Sequence, residues 1–176
     1  WERNALIDTV EPEFKELFLR NLKATGVKKI DYIISNHSEQ DHSGCVPDVL
    51  TLFPESKLVT NEKCSNMLRD LMPEIPADRI VIIKEHETID LGGRTLKFIM
   101  APWVHWPETM FTLLQEEQIL FSCDLFGSHL ATSDIFLNDP RLFYEPMKRY
   151  YAQIMMPYRG QVVKRIETVS SLELKM

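Results

Sequence analysis

The sequence holds little cysteine: Cys45, Cys64 and Cys123 are three in number, far apart, and none belongs to a C-x-x-C pair. That excludes a disulfide scaffold and a zinc knuckle built on thiolates. All three read as small, semi-buried residues, and a reducing, cytoplasmic setting is expected. No apolar stretch is long enough to span a membrane. No run of lysine or arginine occurs and the net charge is −6, so nothing draws the chain to nucleic acid. No signal peptide opens it, although it begins Trp1-Glu2-Arg3 rather than with Met, and the natural start is expected to lie upstream. No repeat, linker or low-complexity segment stands out.

What is present fits one domain or part of one. The 176 residues are 44% hydrophobic and 26% charged, the balance of a globular α/β protein with a sizeable core and not of a disordered chain. Short apolar runs alternate with helical patterns. Ala5-Leu6-Ile7 predicts a strand closed by Asp8-Thr9. Phe14, Leu17, Phe18 and Leu22 mark one helix face, with Gly26 as its stop. Strands are expected at Ile30 to Ser35, Lys57 to Thr60 and Arg79 to Ile83, with helices at Val46 to Phe53 and Glu62 to Leu71. Gly92-Gly93 predicts a hairpin between Thr88–Leu91 and Arg94–Met100. A second hairpin is expected from Thr109 to Ser122. Helices are expected over Arg141 to Met155 and Gln161 to Val169.

The strongest chemical signal is Asn36-His37-Ser38-Glu39-Gln40-Asp41-His42-Ser43-Gly44. Four metal-competent side chains fall within six positions directly after an apolar strand, where a rigid sheet hands over to a loop. In an irregular loop, His37, Glu39, Asp41 and His42 can turn toward one pocket, and two histidines with two carboxylates suffice for two metals. Gly44 is expected to supply the backbone freedom for a sharp exit. Polar loops are common, but this ordered pattern is not. His105, in Trp103-Val104-His105-Trp106-Pro107, and Asp124, in Phe121-Ser122-Cys123-Asp124, also follow apolar strands. Either alone is an ordinary loop histidine or turn starter; their shared placement makes both candidate ligands. His86 reads as an exposed turn residue, and His129 as a structural or supporting residue near the pocket. The tyrosines read as core or surface residues, with Tyr150 or Tyr151 the pair from which one could approach the site.

At these residues the chain resembles the metallo-β-lactamase superfamily, whose signature His-x-His-x-Asp-His is followed by a later His, a bridging Asp and a final His. Glu39 stands at the second position, as in the flavodiiron proteins (A-type flavoproteins). The resemblance covers nearly the whole chain and rests also on Asp41-His42-Ser43-Gly44, His105-Trp106-Pro107 and Phe121-Ser122-Cys123-Asp124. It implies an α/β (α+β) αββα sandwich, incomplete over residues 1–176 and cut short at both ends, with the flavodoxin-like domain absent. By the same resemblance His37, Glu39 and His105 would hold one iron, Asp41 and His42 the other, and Asp124 would bridge them. The family's final His has no match here, so the second iron position is expected to be impaired. The implied activity is reduction of O2 to water or of NO to nitrous oxide, with electrons from FMN on the flavodoxin-like domain and a rubredoxin-like donor behind it. A head-to-tail homodimer is implied as well.

Charge counting agrees with iron. Glu39, Asp41 and Asp124 supply three negative charges against four positive ones on two ferrous ions, and a carboxylate in place of an imidazole hardens the site. An all-imidazole face suits zinc better. The alternatives are a zinc hydrolase on the same fold, with metal-bound hydroxide as nucleophile, and a non-catalytic metal-binding fragment.

Overall fold

The computed structural model describes residues 2–133, 136 and 139–175; Trp1 lies outside them. Two four-stranded sheets form the centre. The first is parallel throughout, in the order β1 (Ala5–Ile7), β2 (Tyr32–Ile34), β3 (Lys57–Thr60), β4 (Ile80–Ile82). Parallel neighbours need crossovers, and three are helical: α1 (Lys15–Ala24), α3 (Val46–Leu52) and α4 (Glu62–Leu71). The second sheet is an antiparallel meander of β5 (Thr88–Asp90), β6 (Thr95–Met100), β7 (Met110–Leu114) and β8 (Ile119–Phe121). The turn between β5 and β6 needs two positive φ angles, and Gly92 and Gly93 supply them at 83° and 87°.

Period-two alternation sorts the strands into layers. Leu6, Ile33 and Leu58 point outward into a core completed by Phe18, Leu22, Val46, Val49, Cys64 and Leu68 of the crossover helices. Their sequence neighbours Ile7, Ile34 and Val59 point the other way and meet Leu96, Phe98 and Met110 of the second sheet. Ile99, Phe111 and Leu113 face outward again, against Tyr150, Met155, Val162 and Val169. Those residues belong to α5 (Pro140–Tyr150), a π-helical turn (Tyr151–Met155) and α6 (Arg159–Ser170). The four layers make an αββα sandwich. No helix among the described residues is long and apolar enough to cross a membrane.

Three local expectations change. The segment from Asn36 to Gly44 is not irregular throughout: α2 (Gln40–Ser43) carries Asp41 and His42. The carbonyl of Glu39 accepts from the amides of His42 and Ser43 and from Ser43 Oγ, which closes the helical turn. Gly44 has an ordinary φ of −60°; its need for glycine is close approach, since a Cβ there would lie 2.5 Å from Pro12 and 2.6 Å from the Gln40 carbonyl. The helix expected over Arg141 to Met155 ends at Tyr150, and the chain then winds through the π-turn and a 3-10 turn (Met156–Tyr158) into α6.

Candidate metal centre

One end of the sandwich collects the C-terminal ends of β1, β2, β6 and β8. Asn36 joins the two sheets there. Its backbone amide donates to Asp8 Oδ1 at 2.7 Å, its carbonyl accepts from the Met110 amide at 2.9 Å, and its side-chain oxygen accepts from Thr112 Oγ1 at 2.7 Å. The following residue, His37, is fully buried. The rings of His42 and His105 lie 5.3 and 5.2 Å from its own, centroid to centroid.

The polar atoms of the six candidate residues converge on one region. Glu39 Oε2 is 3.2 Å from both His37 Nε2 and His105 Nε2. Asp124 lies between the two halves: Oδ1 is 3.0 Å from His42 Nε2, while Oδ2 is 3.5 Å from His37 Nε2 and 3.4 Å from His105 Nε2. Asp41 Oδ2 is 3.6 Å from His42 Nε2. One atom each from His37, Glu39, His105 and Asp124 can be chosen so that all lie within 4.8 Å of one another. Asp41 stands looser, with its side chain 53% exposed. Ligand atoms bound 2.0–2.2 Å from a metal and at right angles lie about 3 Å apart, which is the spacing here. Asp124 Oδ2 is buried with no hydrogen-bond partner among the described residues. A buried carboxylate oxygen in that state calls for a cation, and the donor set fits one.

The charges of the cluster compensate one another. Burial raises Asp124, but the side chains of His105 and His42 beside it, with the charges of His42 and His37, outweigh it and hold the carboxyl far below its ordinary range. Burial lowers His42, but Asp124 and Asp8 reverse this and raise it strongly. His105 is raised for the same reason, by Asp124, Glu39 and Asp41 against burial.

Two carboxylates stand behind the histidines, and sequence reasoning missed both. Asp8, at φ 55° just after β1, accepts from His42 Nδ1 at 3.1 Å. Glu108 accepts from His37 Nδ1 at 2.7 Å. Asp8 carried the same strand-end signal as His105 and Asp124. Glu108 carried none, because its carboxyl reaches His37 only through the Trp-Pro loop that precedes β7. Cys123 Sγ lies 3.9 Å from His42 Nδ1, and burial pushes its thiol up. Cys45 and Cys64 are buried, and burial pushes the Cys64 thiol up to about 12. His86 is exposed in its turn. A cavity of about 250 Å³ opens over Glu39, Asp41, His105 and Asp124, walled by His129, Tyr150 and Ile154. His129 packs edge-on against Tyr150 at 5.0 Å. Tyr150 is thus the tyrosine that reaches the site.

The family profile described as "ODP family beta lactamase" matches residues 2–176. The chain belongs to that family. This ODP-family domain is 35% identical to the flavo-diiron protein FprA2 of Clostridium acetobutylicum over 98% of its own length, and 35% identical to the nitric oxide reductase of Moorella thermoacetica, again over 98%. It spans only 44% of either relative. Its structure matches the rubredoxin oxygen:oxidoreductase of Desulfovibrio gigas with a TM-score of 0.90 and 32% identity, over 97% of this chain and 43% of that one. The ODP-family αββα core is therefore that of the flavodiiron proteins.

Proposed function

We propose that the domain holds two irons and, in the whole protein, reduces O2 to water or NO to nitrous oxide with electrons delivered by FMN on a separate flavodoxin-like domain. Residues 1–176 form one part of that protein. His37, Glu39 and His105 would hold one iron, Asp41 and His42 the other, and Asp124 would serve both. The observation that carries this is Asp124, whose two carboxylate oxygens face opposite halves of the ligand set, together with Glu39 where a zinc enzyme of this fold would have an imidazole. Two ferrous ions, when bound, supply two electrons at one place. The chain's own residues set their separation through Asp124, lower the net charge through three carboxylates, and leave one open face under His129 and Tyr150 for a diatomic molecule. A relative named nitric oxide reductase and another named rubredoxin oxygen:oxidoreductase support both substrates and a rubredoxin-like donor. A head-to-tail dimer would bring the flavin of one subunit to the irons of the next.

The test is reductant-dependent consumption of O2 and NO by the whole protein, followed with electrodes, in the presence and absence of the flavin module. Turnover should require the flavin. Efficient hydrolysis of lactams or esters by the metal-loaded domain without any reductant would replace this reading with the zinc-hydrolase one.

A further inference from the structure

Glu108 is buried with its side chain fully covered, and no residue of the ligand set needs it for spacing. Its Oε1 accepts three hydrogen bonds: from His37 Nδ1 at 2.7 Å, the Ser38 amide at 3.0 Å and Ser38 Oγ at 2.6 Å. Its Oε2 is buried without a hydrogen-bond partner among the described residues. Its backbone is anchored separately. The Glu108 carbonyl accepts from Asn61 Nδ2 at 2.6 Å, and Asn61 caps α4 by accepting from the Cys64 amide at 3.0 Å. The carboxylate therefore cannot follow His37 if the ring swings; the ring must conform to the carboxylate. A buried carboxylate with one oxygen unmet costs stability, so stability alone does not account for it.

We propose that Glu108 is a positioning residue for the metal centre: it holds the proton of His37 on Nδ1, aims Nε2 at the His37-side metal, and makes that imidazole a stronger donor by carrying a full negative charge against it. The inference rests on the diiron reading above. A carboxylate behind a ligand histidine fixes both tautomer and ring angle, and its loss weakens metal binding by about 10- to 100-fold. Glu108→Gln tests this, because glutamine keeps the shape and one acceptor oxygen while it removes the charge and puts an NH2 in place of the second oxygen.

The metal-free E108Q chain should melt within about 3 °C of the parent, while its affinity for Co(II), measured by chelator competition, should fall about 10- to 100-fold at the tighter site. In the Zn(II)-loaded parent, proton NMR should show a His37 Nδ1–H resonance far downfield and slow to exchange, and E108Q should move it upfield. Unchanged cobalt affinity in a folded E108Q chain overturns the proposal. So does a parent in which His37 Nδ1 carries no slowly exchanging proton, a result that does not depend on the variant folding. An E108Q chain that loses its fold also overturns it, since that would assign the carboxylate to the stability of the sandwich. A parent that binds no metal fails differently: it removes the diiron reading itself and this inference with it.

Discussion

At the scale of single residues, the decisive contrast is between Asp124 and His42. Asp124 presents one oxygen to His42 at 3.0 Å and the other to His37 and His105 at 3.5 and 3.4 Å. His42 offers only Nε2 to the centre, because Nδ1 is turned to Asp8 at 3.1 Å. On the proposed diiron reading, removing Asp124 would withdraw a ligand from both metals, and removing His42 one from a single metal. Asp124→Ala should lose nearly all bound iron, and His42→Ala should keep the metal on the His37 side, as read by elemental analysis of anaerobically loaded protein. Equal losses in the two variants would take the bridging role away from Asp124.

At the scale of elements, two contacts show how the first sheet is held in register. Arg79, just before β4, donates to the carbonyls of Leu50, Phe53 and Ser56 at 2.7 to 3.0 Å, and to Ser56 Oγ. It thereby ties the end of α3 and the approach to β3 to the strand that follows. Arg79→Met would keep the stem and withdraw those donors, although the Phe53 carbonyl would keep the Ser56 amide and hydroxyl, so urea unfolding should show a loss of about 1 to 3 kcal/mol. Asp31, at the head of β2, accepts from the Asn4 amide at 2.9 Å and pairs with Lys29. Burial raises its carboxyl, but the Lys29 and Asn4 hydrogen bonds outweigh this and leave it below its ordinary 3.8. A depressed folded value means stability that is present above the ordinary value and is lost as pH falls through the folded one. Asp31→Asn should therefore lower the thermal midpoint at pH 7, and the parent and variant curves should converge only as pH falls below 3.8 and through the depressed folded value.

At the scale of the whole molecule, the two halves of the ligand set are not equivalent. His37, Glu39, His105 and Asp124 bring four donors within 4.8 Å of one another, and they hang from both sheets. Asp41 and His42 share the short helix α2, with Asp41 more than half exposed. Ferrous ion added to the 176-residue chain should fill the His37 side first, and calorimetry should resolve two affinities separated by about tenfold or more, 1.4 kcal/mol. Two equally tight sites would show that another group completes the weaker one, and His129, on the wall of the same cavity, would be the first residue to substitute.

The sequence by itself determined most of the elements and the candidate residues that the fold brings together. Consecutive apolar pairs such as Leu6/Ile7, Ile33/Ile34 and Leu58/Val59 mark strands covered on both faces, because successive side chains point to opposite sides. Gly92-Gly93 dictates a hairpin because two positive φ angles are needed there. His37, Glu39, Asp41, His42, His105 and Asp124 were legible because each follows an apolar strand in an ordered pattern of metal-competent types. Tertiary structure alone decided what stands behind them. Glu108 reaches His37 across 71 positions of sequence and Asp8 reaches His42 across 34; Asp8 is marked only by its place after a strand, and Glu108 by no local pattern. The end of α5 was likewise decided by packing: Tyr150 and Met155 both sit in the core against the second sheet, and a regular helix cannot point positions five apart at one surface without the extra residue that a π-turn inserts.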